Sequence, residues 1–433
     1  MTASTLFGVQ IRASTFAASD FKTLYASTWC FAHGINAYSI ENLQKVFVVN
    51  GVVQPESWYA HAPVYPWTTL AVLFPMSLLP MVPAAYVLTL LTGVLLAAAI
   101  AALMRYSATQ FNLEIRWRIG IAALCVCGPL LAFSMNMGNV SVATSALCVL
   151  SCVSRREGTS WDRSRLWWVP VAALAIALLL KPHLALWCAV GMFLLPERAG
   201  RTVAVRAVAA VSAFAIVTAW LLAASGTFNA QTRAYLAMLG TESSAGASMN
   251  SASHEALPVV AQITSLNSIL GFWITNSMIR GGLTCLLLLV LGALLIRRTR
   301  LVDTERGALL AIGAWCSMGM LATYHRAHDA SLLILLVPWV ISRIRDTPLR
   351  WPAWTAVALY CGMSVSLDFP VVLRLVGTAP QHSLLSFLLL RQVALSNLLL
   401  LLVLFMTMSD EHVNEQRYSG ADAQSDDANL RAA

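Results

Sequence analysis

Few side chains in this chain are able to do chemistry, and they sit at telling places. Asp20 is its first acid. Lys181, one of only three lysines, ends an apolar run just before Pro182. Tyr324-His325-Arg326-Ala327-His328-Asp329 is the densest polar stretch beside an apolar segment, and Asn139, Asn267 and Ser268 add amides and a hydroxyl. A carboxylate takes a proton from an attacking hydroxyl, while cationic and amide groups hold an anion as it departs. A helix opening at 326–329 would also turn free N–H groups toward that anion. His325 and His328 have no third ligand at metal spacing, so no metal site is expected. Each residue has a plainer alternative. Asp20 would cap a helix starting at Phe21, Lys181 would snorkel to an interface, Asn139 and Asn267 would satisfy tight turns, and Asp329 would cap its own helix.

The elements that must position these groups are set by composition. Of 433 residues, 58% are hydrophobic and 11% charged, with a mean hydropathy of +0.70, which excludes a soluble globular domain. The net charge of +8 is no nucleic-acid signal, because the arginines lie in short loops between apolar runs. The nine cysteines show no recurring metal-type pair and mostly fall in apolar runs, as small packing residues do. Apolar stretches at 83–104, 118–135, 139–154, 166–181, 184–196, 207–224, 281–297, 307–322, 329–342, 351–368 and 384–408 predict an all-α polytopic membrane protein of about eleven spans. Residues 63–82 carry four prolines and read as a short interfacial or re-entrant segment.

One threading puts seventeen of the 28 basic residues into five loops on the same side, which is therefore cytoplasmic. The candidate residues then all face the opposite side. The expected organisation is an outer-face N-terminal segment (1–82), a helical bundle (83–408) with a long outer loop (225–280) that would partly order over a ligand, and a polar, disordered cytoplasmic tail (409–433). Residues 1–19 contain no span or signal-peptide pattern, so a first helix is expected to be missing ahead of Asp20.

Several segments, in order, carry a resemblance. Asp20-Phe21, Tyr25-Ala26 and Gly34-Ile35-Asn36-Ala37-Tyr38 resemble the signature that follows the first helix in glycosyltransferase family 87. Val64-Tyr65-Pro66 resembles that family's Tyr-x-Pro-Pro block. Met137–Val142 resembles a Gly-Gln-x-Asn segment with Asn139 where Gln is usual, and Lys181-Pro182 resembles its Lys-Pro helix end. Ser265–Phe272 resembles an Asn-Gln-Ser segment. Tyr324–Asp329 resembles an aromatic block ending in Tyr-Asp, with His328 in place of Tyr.

The resemblance implies a C-type (GT-C) transmembrane helical bundle that transfers a hexose, mannose first, from a polyprenyl-phosphate donor to a glycan or lipid acceptor. Transfer would take place on the periplasmic face of a bacterial inner membrane, without a cofactor. It makes Asp20 the general base. Lys181, Arg326, His325, His328 and Arg280 become candidates for the donor phosphate. Tyr25, Tyr59, His61, Tyr65, Asn139 and Asn267 become candidates for sugar or acceptor. Two other classes fit the spans: a transporter or flippase of a lipid-linked saccharide, and a lipid-linked glycan polymerase or ligase. The first should show inverted repeats and the second a large outer loop rich in Arg and His, and neither feature is evident.

Overall fold

A computed structural model describes residues 19–52, 64–126, 128–155, 168–243, 263–323, 326–346, 350–365, 383–384 and 386–408. Among these residues the protein is helical, with one isolated β-bridge between Ile263 and Arg326. The chain begins with α1 (Ser19–Ala32), α2 (Ile40–Val49) and α3 (Trp67–Leu73), the last running into a 3-10 turn at Phe74–Leu78. It continues through α4 (Met81–Phe111), α5 (Ile115–Val126), α6 (Pro129–Asn136), α7 (Ser141–Ser154), α8 (Val169–Leu180) and α9 (Pro182–Leu194). Next come α10 (Arg198–Ala224), α11 (Phe228–Ser243), α12 (Leu266–Gly271), α13 (Ser277–Thr299) and α14 (Glu305–Ala322). A 3-10 helix (Ala327–Leu336), α15 (Val337–Asp346), α16 (Trp351–Val365) and α17 (Ser386–Met408) complete it.

Among the described residues four helices, α4, α10, α13 and α17, are long and apolar enough to cross a bilayer. The expected count of eleven spans is not reached among the described residues, where shorter apolar helices such as α7, α8 and α9 lie between the four long ones. Length explains the difference: hydropathy marks every apolar run, but a run of 12–14 residues such as α7 or α8 rises only about 1.5 Å per residue and is too short to span alone. The long helices α10 and α13 bury only 11% of their most apolar window, so their surfaces suit lipid.

The interior is built on α7 and α14, which are buried on nearly all sides. α7 is rich in Ser, Ala and Cys and α14 in Gly and Ala, which lets neighbouring helices approach closely. A Cβ on Gly191 of α9 would come within 3.1 Å of the Ile312 Cα of α14, and one on Gly319 would collide with the Trp187 ring. Polar ties fix the rest. Asn397 of α17 accepts from Ser317 Oγ at 2.6 Å and donates Nδ2–H to the Ser317 carbonyl at 3.1 Å.

Arg155, expected among the loop charges that set orientation, is instead fully buried. It pairs with Glu197 and, at 2.8 Å, with Glu305, to which Tyr106 also donates. The stretch 225–280 contains α11 and α12. Gln231 of α11 donates to the Ile35 carbonyl at 2.7 Å and so clasps the turn after α1. Residues 244–262 of that stretch and the tail 409–433 lie outside the described residues.

Candidate active site

Asp20 sits in the first turn of α1 rather than capping it. The backbone N–H groups of Asp20 and Phe21 both donate to the Met137 carbonyl, at 3.1 and 3.3 Å. The chain reverses after α6 through Gly138, whose φ of +64° only glycine adopts readily. That turn brings Asn139 against Asp20, and Asn139 Nδ2 donates to Asp20 Oδ2 at 2.6 Å. Asn139 Oδ1 accepts from the Ser141 backbone N–H at 2.8 Å, which makes it a turn residue and a site residue at once.

Lys181 lies at the break between α8 and α9. Its backbone N–H still donates to Ala177, while Pro182 opens the next helix without needing a donor. The side chain points inward. Its Nζ donates to Asp329 Oδ1 at 2.6 Å, to Ser141 Oγ at 2.7 Å and to Asn139 Oδ1 at 3.3 Å. Lys181 and Asp329 are 5% and 3% exposed, a buried ion pair. The lysine therefore neither snorkels nor presents its ammonium to an outside anion. Asp329 belongs to the 3-10 helix, which is joined to α7 where Ser145 and Ser331 share a hydrogen bond at 2.9 Å.

The outcome is a chain of contacts from a buried charge pair up to a half-buried acid: Asp329, Lys181, Ser141 and Asn139, then Asp20. Asn139 holds Oδ2 of Asp20, and no hydrogen bond to Oδ1 is seen among the described residues. Tyr65 borders the same space. Burial pushes its phenol well above the ordinary value, the charges of Asp20 and Asp329 push it further, and Arg326 opposes them. It is thus a neutral hydrogen-bond donor beside two carboxylates. Tyr38 donates to the Tyr65 carbonyl at 2.9 Å and holds that segment. Arg326 is half-buried and pairs with Ile263 through the β-bridge.

Other candidates lie apart from this network or beyond description. Tyr25 donates its hydroxyl to the Leu79 carbonyl at 2.8 Å, a packing role. Asn267 is half-buried in the first turn of α12. Arg280 stands near the start of α13, where Asn276 caps the helix by accepting from the N–H groups of Met278 and Ile279. Tyr59, His61 and His325 lie outside the described residues, as does the side chain of His328. No group of three or more metal-binding side chains occurs among the described residues.

Two residues, Ser141 in this network and Arg391 outside it, were not singled out from sequence. Ser141 gave no signal of its own. Arg391 stands alone in the apolar run 384–408, and a lone charge inside a spanning helix is itself a functional signal.

No curated protein and no solved structure matches the chain. The sequence model of glycosyltransferase family 87 matches residues 64–323, more than half of the chain, and takes in Tyr65, Asn139, Ser141 and Lys181. Asp20 and Asp329 flank that match, and the structure joins them to it. That match sets the transporter reading aside: the chain belongs to glycosyltransferase family 87 and is a membrane glycosyltransferase.

Proposed function

We propose that the enzyme moves a hexose, mannose first, from a polyprenyl phosphate to a glycan or lipid hydroxyl on the periplasmic face of a bacterial inner membrane. In this reading the acceptor oxygen attacks the anomeric carbon and its proton passes to Asp20 Oδ1. The bond between that carbon and the phosphate oxygen breaks, and its electron pair leaves with the polyprenyl phosphate. A single displacement of this kind inverts the anomeric centre. Arg326, with His325, His328 and Arg280, faces the departing phosphate, while Tyr65 and Asn267, with Tyr59 and His61, meet sugar or acceptor. Lys181 has a different part here: it neutralises Asp329 and orients Asn139, so that the Asn139 amide presents Nδ2–H to Asp20.

What carries the reading is the state of Asp20, half-exposed, with one oxygen held by Asn139 and no hydrogen bond to the other among the described residues. The charge bias of the loops supports the periplasmic side. The test is sugar transfer from radiolabelled polyprenyl-phosphate mannose in membranes. Asp20→Asn should lower kcat by about 10²–10⁴-fold at unchanged thermal stability. A variant as active as the parent would move the base elsewhere.

A further inference from the structure

A second cluster of cationic groups lies where α12, α13 and α17 meet. Arg391 is fully buried, five residues into the spanning helix α17. Its Nε donates to the Ser268 carbonyl at 2.6 Å, Nη1 reaches the Leu390 carbonyl at 3.3 Å, and the guanidinium lies 5.8 Å from the Phe272 ring centroid. Among the described residues, Arg391 Nη2 has no partner, and neither has the buried Ser268 hydroxyl beside it. Arg280, half-buried at the head of α13, is close enough for the two guanidiniums to repel each other, and its Nε is also buried without a partner. No carboxylate among the described residues pairs with either arginine.

Two like charges and three orphaned polar atoms, held together in an apolar wall, are costly to leave as they stand. An anion supplies what is missing: charge of the opposite sign and several acceptor oxygens in a compact shape. A phosphoryl group fits, because arginine forks match its geometry. The surroundings say what the phosphoryl group is attached to. Trp273, Met278, Ile279, Leu283, Leu384 and Leu388 around the cluster are all exposed apolar side chains. A free anion gains nothing from such a rim, whereas an amphiphile buries its chain there.

We propose that Arg280, Arg391 and Ser268 form a binding site for the phosphoryl headgroup of a lipid, which enters from the bilayer between the heads of α13 and α17. This inference deepens the donor reading by adding Arg391 and Ser268 to the phosphate contacts, yet lipid binding here does not depend on Asp20 acting as a base. Arg391 fixes one side of the phosphate from within the membrane, and Arg280 closes it from the surface.

The test is direct binding of undecaprenyl phosphate to the purified full-length protein in detergent, read by native mass spectrometry. Undecaprenol, phosphatidylglycerol and inorganic phosphate serve as comparison ligands. The parent should bind undecaprenyl phosphate more tightly than undecaprenol or inorganic phosphate. Arg280→Gln and Arg391→Gln should each weaken that binding by on the order of tenfold or more, the scale of one lost charge-assisted hydrogen bond. Arg391→Lys should keep part of it, and Asp20→Asn all of it. Equal binding by the parent and Arg280→Gln would overturn the proposal even where Arg391→Gln fails to fold. Inorganic phosphate bound as tightly as the lipid would overturn the lipid assignment, and phosphatidylglycerol bound as tightly would make this a general headgroup site rather than a polyprenyl one. A parent that binds the lipid but transfers no sugar would sink the donor reading and leave this site standing.

Discussion

Replacing Lys181 with methionine tests the frame under the active site. The variant keeps the length of the side chain and removes its charge from a site where the ammonium lies 2.6 Å from Asp329 and both groups are under 6% exposed. At that separation and an effective dielectric of about 20, the direct attraction is about 6 kcal/mol. Desolvation of the two charges offsets part of it, and removal of one partner from a buried pair costs about 3–5 kcal/mol in practice. At roughly 2 °C per kcal/mol for a chain of this size, Tm should fall by about 6–10 °C. A thiol-reactive dye on detergent-solubilised protein gives the readout, because Cys30, Cys125, Cys148, Cys152, Cys188 and Cys316 are buried until the bundle opens. The double variant Lys181→Met/Asp329→Leu should recover most of the lost Tm, since no charge is then left unpaired, but it should not recover transfer, since Asn139 is no longer oriented. Two results would refute the reasoning: a single variant as stable as the parent, or a double variant whose loss equals the sum of the singles.

Other outcomes follow from the packing and from one buried amine. Gly319→Ala sets a methyl group against the Trp187 ring and should cost about 1–3 kcal/mol, seen as a lower Tm; an unchanged Tm would mean that α9 and α14 can part without cost. Lys22 is buried in α1, and burial lowers its amine to about 8 from the model-peptide 10.5. Between those values the unfolded chain binds the proton and the folded protein releases it, so stability should rise with pH from about 8 to 10.5. Lys22→Met should flatten that slope in a series of melts across the range, and an equal slope in both proteins would place the titration elsewhere.

The sequence showed where helices lie better than it showed what they bury. Hydropathy located α4, α10, α13 and α17, and the Lys181-Pro182 pair marked the break between α8 and α9 as it stands. The prolines of 63–82 argued against one continuous spanning helix, and the described part of that stretch is the short helix α3 followed by a 3-10 turn. Burial of charge was not legible. Arg155 and Lys181 read as residues at the edges of spans because their partners, Glu305 and Asp329, lie about 150 positions away. Only folding of the bundle brings the end of α7 to the start of α14, and the break between α8 and α9 to the 3-10 helix. The same limit hid Ser141, a hydroxyl like many others until the ammonium of Lys181 lies 2.7 Å from it. Asp20 and Asn139 were picked out as separate candidates, and nothing local to either one announces that they touch.

The hydrogen bonds from Asp20 and Phe21 to the Met137 carbonyl tie the start of α1 to the turn that carries Asn139. Acid and amide therefore share one short, local frame, supported by α7 and the 3-10 helix, and among the long helices α4 packs along α7. A bilayer thicker or thinner than the apolar length of a long helix is accommodated by tilt, and with α4 held against α7 that tilt falls on α10, α13 and α17. Arg280 and Arg391 ride on two of these. In vesicles of graded acyl-chain length, thickness should accordingly change how tightly lipid is held and leave the proton-transfer geometry alone, so that KM varies with the membrane while kcat stays constant.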